Sequence, residues 1–203
     1  MASIVTYDIL NLWPIPIYKK NIGIKSEWKD VVNSLDWKKM KSGSGQVTET
    51  LSLLEDERLV ELKNLTLLAA HEYAEHHFRI KNKFKIISSW ALKTQPEEIA
   101  GFGEFHNHGN CVMSASYYFE RTPESGGISF KRPMTNPVLA HNFEFEIDED
   151  NPENVQQVNV EPETGDILFF PSYLEHMPLV NKSNIERLSM AINFFPDRLS
   201  YWS

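Results

Sequence analysis

Seven histidines stand in a chain of 203 residues, and three of them are spaced so that they could share a metal ion. His106 and His108 occur in GEFHNHGN, directly before the β-prone run VMSASYYFE. On an extended chain, residues i and i+2 point to the same side, so both imidazoles can face one point. His176 lies in FFPSYLEHMPLV, at the end of another β-prone run. Imidazole suits iron, zinc, copper and nickel alike, so ligand type leaves the metal open. Further on, ERLSMAINFF carries Arg187 and Ser189 two positions apart, on one face of a predicted strand. An inward guanidinium in so aliphatic a strand is costly unless an anion meets it. An arginine with a hydroxyl beside it is well suited to hold a carboxylate. The plain alternative is an arginine at the strand entrance turned to water.

The other four histidines carry less. HEYAEHH at 71–77 approaches the zinc-protease pattern HExxH, but Glu75 occupies the place of the second histidine, and the inverted form HxxEH fails as well. Glu72 with His76, and His71 with Glu75, sit four apart, the spacing of ion pairs on a helix surface. His141 stands alone between Ala140 and Asn142.

The elements that must position these residues change character along the chain. The opening YDILNLWPIPIYKKNI is aliphatic but interrupted by Pro14 and Pro16, which reads as an extended edge segment. Residues 26–40 predict a short helix with Ser26 as N-cap. A longer helix is predicted from Leu54 to Phe78, where Leu59, Leu62, Leu65, Thr66, Ala69 and Tyr73 recur at three- and four-residue steps. From Phe84 on, short apolar runs separated by Gly, Pro and Asn predict strands: FKIISSWALK, VMSASYYFE, GISF, NFEFEI, VQQVNV, GDILFFPS and RLSMAINFF. No Pro/Gly/Ser linker separates the halves near residue 80, and an amphipathic helix needs the sheet to cover it. The expectation is one domain over 1–203, with an N-terminal extended segment and helices (1–80) buttressing a β-sandwich (81–203).

Composition narrows the function classes. The formal net charge of −8 argues against nucleic acid and anionic membrane as partners. Cys111 is the one cysteine, so no internal disulfide forms. No apolar run approaches the roughly 20 residues of a membrane span, and the N-terminus lacks a signal-peptide pattern. The default is a soluble cytoplasmic protein. Eight acidic residues and no basic one lie between Glu144 and Glu163, a solvated loop or a lid over a site. The extended N-terminal strand could pair across a homodimer.

The order of features resembles the iron(II)- and 2-oxoglutarate-dependent oxygenases, whose pattern is HxD on one strand, a distant His, then Arg about ten residues on. More narrowly, the chain resembles a small family of such oxygenases common in marine bacteria and their phages. The shared motifs are LWPIPIY at 12–18, the Trp strand SSWALK, HNHGN, SASYYFE, ESGGISFKRP, GDILFFPSYLEH and RLSMAINF, across essentially the whole length. The resemblance implies a mainly β fold, a double-stranded β-helix of jelly-roll type with N-terminal supporting helices. It implies iron(II) held by His106 and His176, and 2-oxoglutarate whose far carboxylate meets Arg187, with Ser189 and Tyr118 as hydroxyl partners. Asn193, inside the last strand, is a candidate support for a ligand or the cofactor.

His108 stands where the superfamily has a carboxylate, leaving a bound iron about one charge unit more positive. Glu104 shares the face of His106 on a regular strand and is the alternative third ligand. The expected activity is hydroxylation of an unassigned substrate with O2, 2-oxoglutarate being converted to succinate. Trp90, Tyr117 or Phe119, Phe130 and Phe169 are candidate pocket walls. The alternatives are a metal- or ligand-binding β-sandwich without turnover, and a structural zinc module.

Overall fold

The computed structural model describes residues 14–40, 44–99, 103–133, 146, 148–150 and 154–198. In chain order the elements are β1 (Tyr18–Asn21), α1 (Ser26–Asn33), β2 (Trp37–Lys39), β3 (Gln46–Thr48), α2 (Val60–Phe78), β4 (Phe84–Thr94), β5 (Met113–Glu120), β6 (Ile128–Lys131), β7 (Gln157–Val160), β8 (Asp166–Pro171), β9 (His176–Pro178) and β10 (Arg187–Pro196). Seven strands form the larger sheet in the order β1-β8-β5-β10-β4-β3-β2, and three form the smaller one, β7-β6-β9. Every ladder is antiparallel. Together they make the double-stranded β-helix.

The larger sheet is covered on both faces. On one face Tyr117, Phe119, Phe169, Met190, Ile192 and Phe194 join Trp28 and Val32 of α1 and Leu62, Ala69 and Tyr73 of α2 in a single apolar cluster. On the other, Tyr118, Leu168 and Phe170 pack against Ile128 and Phe130 of the smaller sheet. Alternation along each strand assigns neighbours to opposite faces. Tyr117 and Tyr118 therefore serve different cores.

The two helices differ from their predicted bounds. The first ends at Asn33, and Trp37–Lys39 instead pairs with Thr48–Gln46. Local helix propensity across 34–40 yields there to a strand partner and to burial of Leu35 and Trp37 against the main core. Ser26 is the first helical residue and not the cap. Lys25 takes the N-cap position in extended conformation, and Ser26 Oγ donates to the Glu27 carboxylate at 3.1 Å. The second helix starts at Val60, after two short 3₁₀ turns, because Asp56 is extended there and its carboxylate accepts from the Arg58 N–H at 3.0 Å. Its buried stripe is Leu62, Thr66, Ala69, Ala70, Tyr73 and Ala74.

The proline-interrupted opening leads into β1 at the sheet edge. Tyr73 Oη donates to the Pro16 carbonyl at 2.7 Å, and the Tyr18 and Tyr73 rings stack with centroids 5.9 Å apart. His71 Nε2 accepts from the Phe84 N–H at 3.0 Å, tying α2 to the start of β4. His141 and the predicted strand NFEFEI, apart from Glu146, lie outside the described residues, as does the middle of the acidic stretch. In its described part Glu161 pairs with Arg121. None of the described helices is long and apolar enough to cross a membrane.

Candidate metal and anion site

His106 and His176 meet across an isolated antiparallel bridge, exchanging N–H···O bonds of 3.0 and 2.9 Å. The His108 N–H donates to the Ser172 carbonyl at 3.0 Å, which ties the second histidine to the turn before β9. These main-chain bonds bring three ring nitrogens within 4.8 Å of one another. The ring centroids lie 4.7 Å (His106–His176), 5.0 Å (His108–His176) and 5.5 Å (His106–His108) apart. Among the described residues this is the cluster of His, Cys, Asp and Glu groups able to hold a metal.

Each ring engages an acceptor through Nδ1. The partners are the Glu104 carbonyl for His106 at 3.1 Å, Asn193 Oδ1 for His108 at 2.6 Å and the Leu174 carbonyl for His176 at 2.9 Å. A ring nitrogen facing an acceptor carries the proton, so Nε2 keeps the lone pair that a metal takes. Burial pushes the His176 imidazole down to about 3, against the pull of its carbonyl bond, and burial likewise lowers His108. Both present neutral rings near pH 7, as a metal ligand must. A divalent metal therefore fits this donor set. Glu104 is exposed, and its contribution to the cluster is its main-chain carbonyl.

A cavity of about 110 Å³ opens from the histidines toward the far end of β10. Arg187, Ser189 and Ala191 line it from β10, Ser116 and Tyr118 from β5, and Trp90 and Leu92 from β4. The register explains the grouping. Ser189 lies opposite both Tyr118 and Leu92, and Ala191 opposite Ser116 and Trp90. Ile128 and Pro178, opposite one another in the smaller sheet, close the cavity from above.

Arg187 is 1% exposed. Its Nη1 donates to the Ser125 carbonyl at 2.7 Å and the Leu179 carbonyl at 2.9 Å, and Nη2 makes a long bond of 3.4 Å to Thr94 Oγ1. Nε is buried without a partner. No carboxylate of the described residues forms an ion pair with it. Burial lowers the guanidinium, but from so high a starting value that it stays charged. The Nε–Nη2 edge is one of the two forks of a guanidinium that can grip a carboxylate bidentately. Tyr118 stays protonated, pushed up to about 12 by burial despite the nearby Arg187.

The residues expected at the site divide cleanly. His106, His108, His176, Arg187, Ser189 and Tyr118 share the cavity wall. Asn193 lies outside that wall, against His108. Of the aromatic wall candidates Trp90 is present, its ring 5.9 Å from that of His108. Tyr117, Phe119 and Phe169 point into the helix-covered core. Phe130 stands beside His176 with ring centroids 6.1 Å apart. Sequence reasoning missed Leu92, Ser116 and Ala191, although parity would have found them. Once Trp90, Tyr118 and Ser189 face inward, their strand neighbours two residues away (Leu92, Ser116 and Ala191) do too.

A double-stranded β-helix with a histidine cluster at its mouth and a buried arginine deeper in the cavity defines the class. The family model described as "Putative 2OG-Fe(II) oxygenase" matches residues 88–193, more than half of the chain and every cavity residue of β4, β5 and β10 named above. The chain belongs to this family of 2-oxoglutarate- and iron(II)-dependent oxygenases.

Solved structures similar to it include HygX from Streptomyces hygroscopicus with nickel, 2-oxoglutarate and hygromycin B bound (13% identity, 93% of this chain and 86% of that one, TM-score 0.60). A 2OG-Fe(II) oxygenase family oxidoreductase from Burkholderia pseudomallei is similar at 12% identity, over 82% of this chain and 76% of that one, with TM-score 0.56. So is the non-heme α-ketoglutarate-dependent epimerase SnoN from nogalamycin biosynthesis (12%, 84% and 71%, TM-score 0.57). No curated protein sequence matches.

Proposed function

We propose that this protein hydroxylates an as yet unassigned substrate, using iron(II), 2-oxoglutarate and O2 and releasing succinate and CO2. The observation that carries the reading is the pairing of two features in one cavity. Three imidazoles have every Nδ1 engaged, and a buried guanidinium has an unpartnered Nε on the same wall. A structural zinc site has no use for the second feature. HygX, similar in fold, carries nickel and 2-oxoglutarate, which supports the same pair of cofactors here.

In this reading Nε2 of His106, His108 and His176 holds the metal. Arg187, through its Nε–Nη2 edge, grips the far carboxylate of 2-oxoglutarate, and the hydroxyls of Ser189 and Tyr118 complete the clamp. Trp90, Leu92, Ile128 and Ala191 exclude water around the reacting centre. When bound, iron and 2-oxoglutarate supply the oxidising power by coupling O2 reduction to oxidative decarboxylation. The chain's own part is to orient the substrate C–H bond and keep the pocket dry.

Anaerobic titration with iron(II) and 2-oxoglutarate tests this. A visible charge-transfer band is expected, abolished in His176→Ala and weakened in Arg187→Ala. Absence of both the band and any uncoupled succinate formation overturns the proposal.

A further inference from the structure

The three histidines are not held alike. His106 and His176 each lean on the main-chain carbonyl two residues before them, Glu104 and Leu174. Such local bonds come with the chain's own path and survive most side-chain changes. His108 instead leans on a side chain 85 residues away, Asn193 Oδ1 at 2.6 Å, with Ser114 Oγ a more distant second neighbour of Nδ1 at 3.2 Å. This is also the position where the superfamily pattern has a carboxylate.

The amide is itself fixed from both ends. Its Oδ1 accepts from Ser114 Oγ at 2.8 Å, and its Nδ2 donates to Ser88 Oγ at 3.1 Å. Ser114 Oγ in turn lies 2.9 Å from Ser172 Oγ, beside the carbonyl that receives the His108 N–H. Strand pairing lines these groups up, since Asn193 of β10 lies opposite Ser114 of β5 and Ser88 of β4. Reversing the amide would set Nδ2 against the His108 Nδ1–H and lose that bond inside a buried network, while the two serine hydroxyls can exchange donor and acceptor roles.

We propose that Asn193 is the positioning residue of the third ligand, holding His108 as the Nδ1–H tautomer with Nε2 turned toward His106 and His176. This rests on the three-histidine reading of the site. It adds that the His108 ring is oriented by a neutral acceptor, so the layer behind the ligands contributes no negative charge to a site that already lacks a carboxylate. An aspartate at 193 would keep the acceptor and add that charge.

Two measurements on the full chain test the proposal. The first is Ni(II) affinity by competition with a chromophoric chelator. Asn193→Ala is expected to weaken it about 10- to 100-fold, the usual scale for removing such a partner. Asn193→Asp is expected to match or exceed the wild-type affinity. The second is long-range ¹H–¹⁵N correlation of the histidine side chains in the metal-free protein at about pH 8, where imidazole is neutral. His108 is expected as Nδ1–H in the wild type and in Asn193→Asp, and to lose that preference in Asn193→Ala.

A folded Asn193→Ala protein that binds Ni(II) as tightly as the wild type, or keeps His108 as Nδ1–H, overturns the inference. If Asn193→Ala does not fold, Asn193→Asp decides: a tenfold or greater fall in Ni(II) affinity, or loss of the tautomer, overturns it too. A wild-type protein that binds no Ni(II) at all defeats the three-histidine reading instead, and the tautomer measurement still tests the role of Asn193.

Discussion

Replacing Arg187 by lysine and by methionine separates what this residue does for the fold from what it does for an anion. In the wild type two Nη1 bonds tie β10 to the Ser125 and Leu179 carbonyls, while Nε is unpartnered and Nη2, with one long bond to Thr94 Oγ1, keeps a second proton for a carboxylate. Each hydrogen bond between a charged and a polar group contributes about 1.5–3 kcal/mol. Gripping a carboxylate through both edge atoms is therefore worth about 3–6 kcal/mol. The ammonium of Arg187→Lys can still serve the two carbonyls and spend its third proton on the ligand, so it loses about 1.5–3 kcal/mol, or roughly 10- to 100-fold in 2-oxoglutarate affinity. Arg187→Met loses the whole grip, about 10²- to 10⁴-fold. Fold stability should fall less steeply, because removing a buried charge that has no ion partner recovers desolvation free energy and offsets the lost carbonyl bonds. The assay is calorimetric titration of the Ni(II)-loaded protein with 2-oxoglutarate, next to a thermal melt. Ni(II) affinity itself should be unchanged in both variants, because Arg187 bonds to none of the histidines. The reasoning fails if the lysine variant binds 2-oxoglutarate as tightly as the wild type. It fails equally if the methionine variant loses Ni(II) binding in parallel.

Two further outcomes follow from the same geometry. Gly126 has φ +72°, and a Cβ there would sit 2.4 Å from the Val180 carbonyl and 3.0 Å from Arg187 Nη1. Gly126→Ala should therefore cost about 2–3 kcal/mol, lowering Tm by about 4–12 °C, and weaken 2-oxoglutarate binding by displacing the guanidinium; an unchanged melt would show that the Gly-Gly turn is not needed. For the metal-free protein, the His176 imidazole titrates at about 3 when folded but near its ordinary value when unfolded. Below about pH 6.5 the unfolded chain then binds more protons, so stability is lost as pH falls toward 3, by up to about 1.4 kcal/mol per pH unit. Urea midpoints measured across that range should fall, with a shallower fall in His176→Ala; equal slopes would refute it.

Much of this molecule is legible along the chain. Short apolar runs bounded by Gly, Pro and Asn mark most of the strands, because a strand's signature is local. HNHGN places two imidazoles on one side for the same reason. The long helix is visible in its three- and four-residue steps. Its start is not, because the turn capped by Asp56 interrupts an otherwise continuous apolar pattern. The strand at Trp37–Lys39 is hidden behind helix-favouring residues, since its partner lies across a loop.

The order HNH, distant His, then Arg is a property of the sequence alone, and it names the family. Which faces meet is not. In β8 every residue before Pro171 is buried, because helices cover one side and the smaller sheet the other, so no polar alternation tells inward from outward there. Tyr118 lines the cavity and Tyr117 the helix-packed core only because the register of β5 against β10 sets Tyr118 opposite Ser189. The same register delivers Asn193 to His108, and the bridge between His106 and His176 joins residues 70 positions apart. Local chemistry determined which groups are available. Antiparallel pairing over long separations decided which of them touch, because a one-residue shift in register would turn Arg187 and Asn193 to the opposite face.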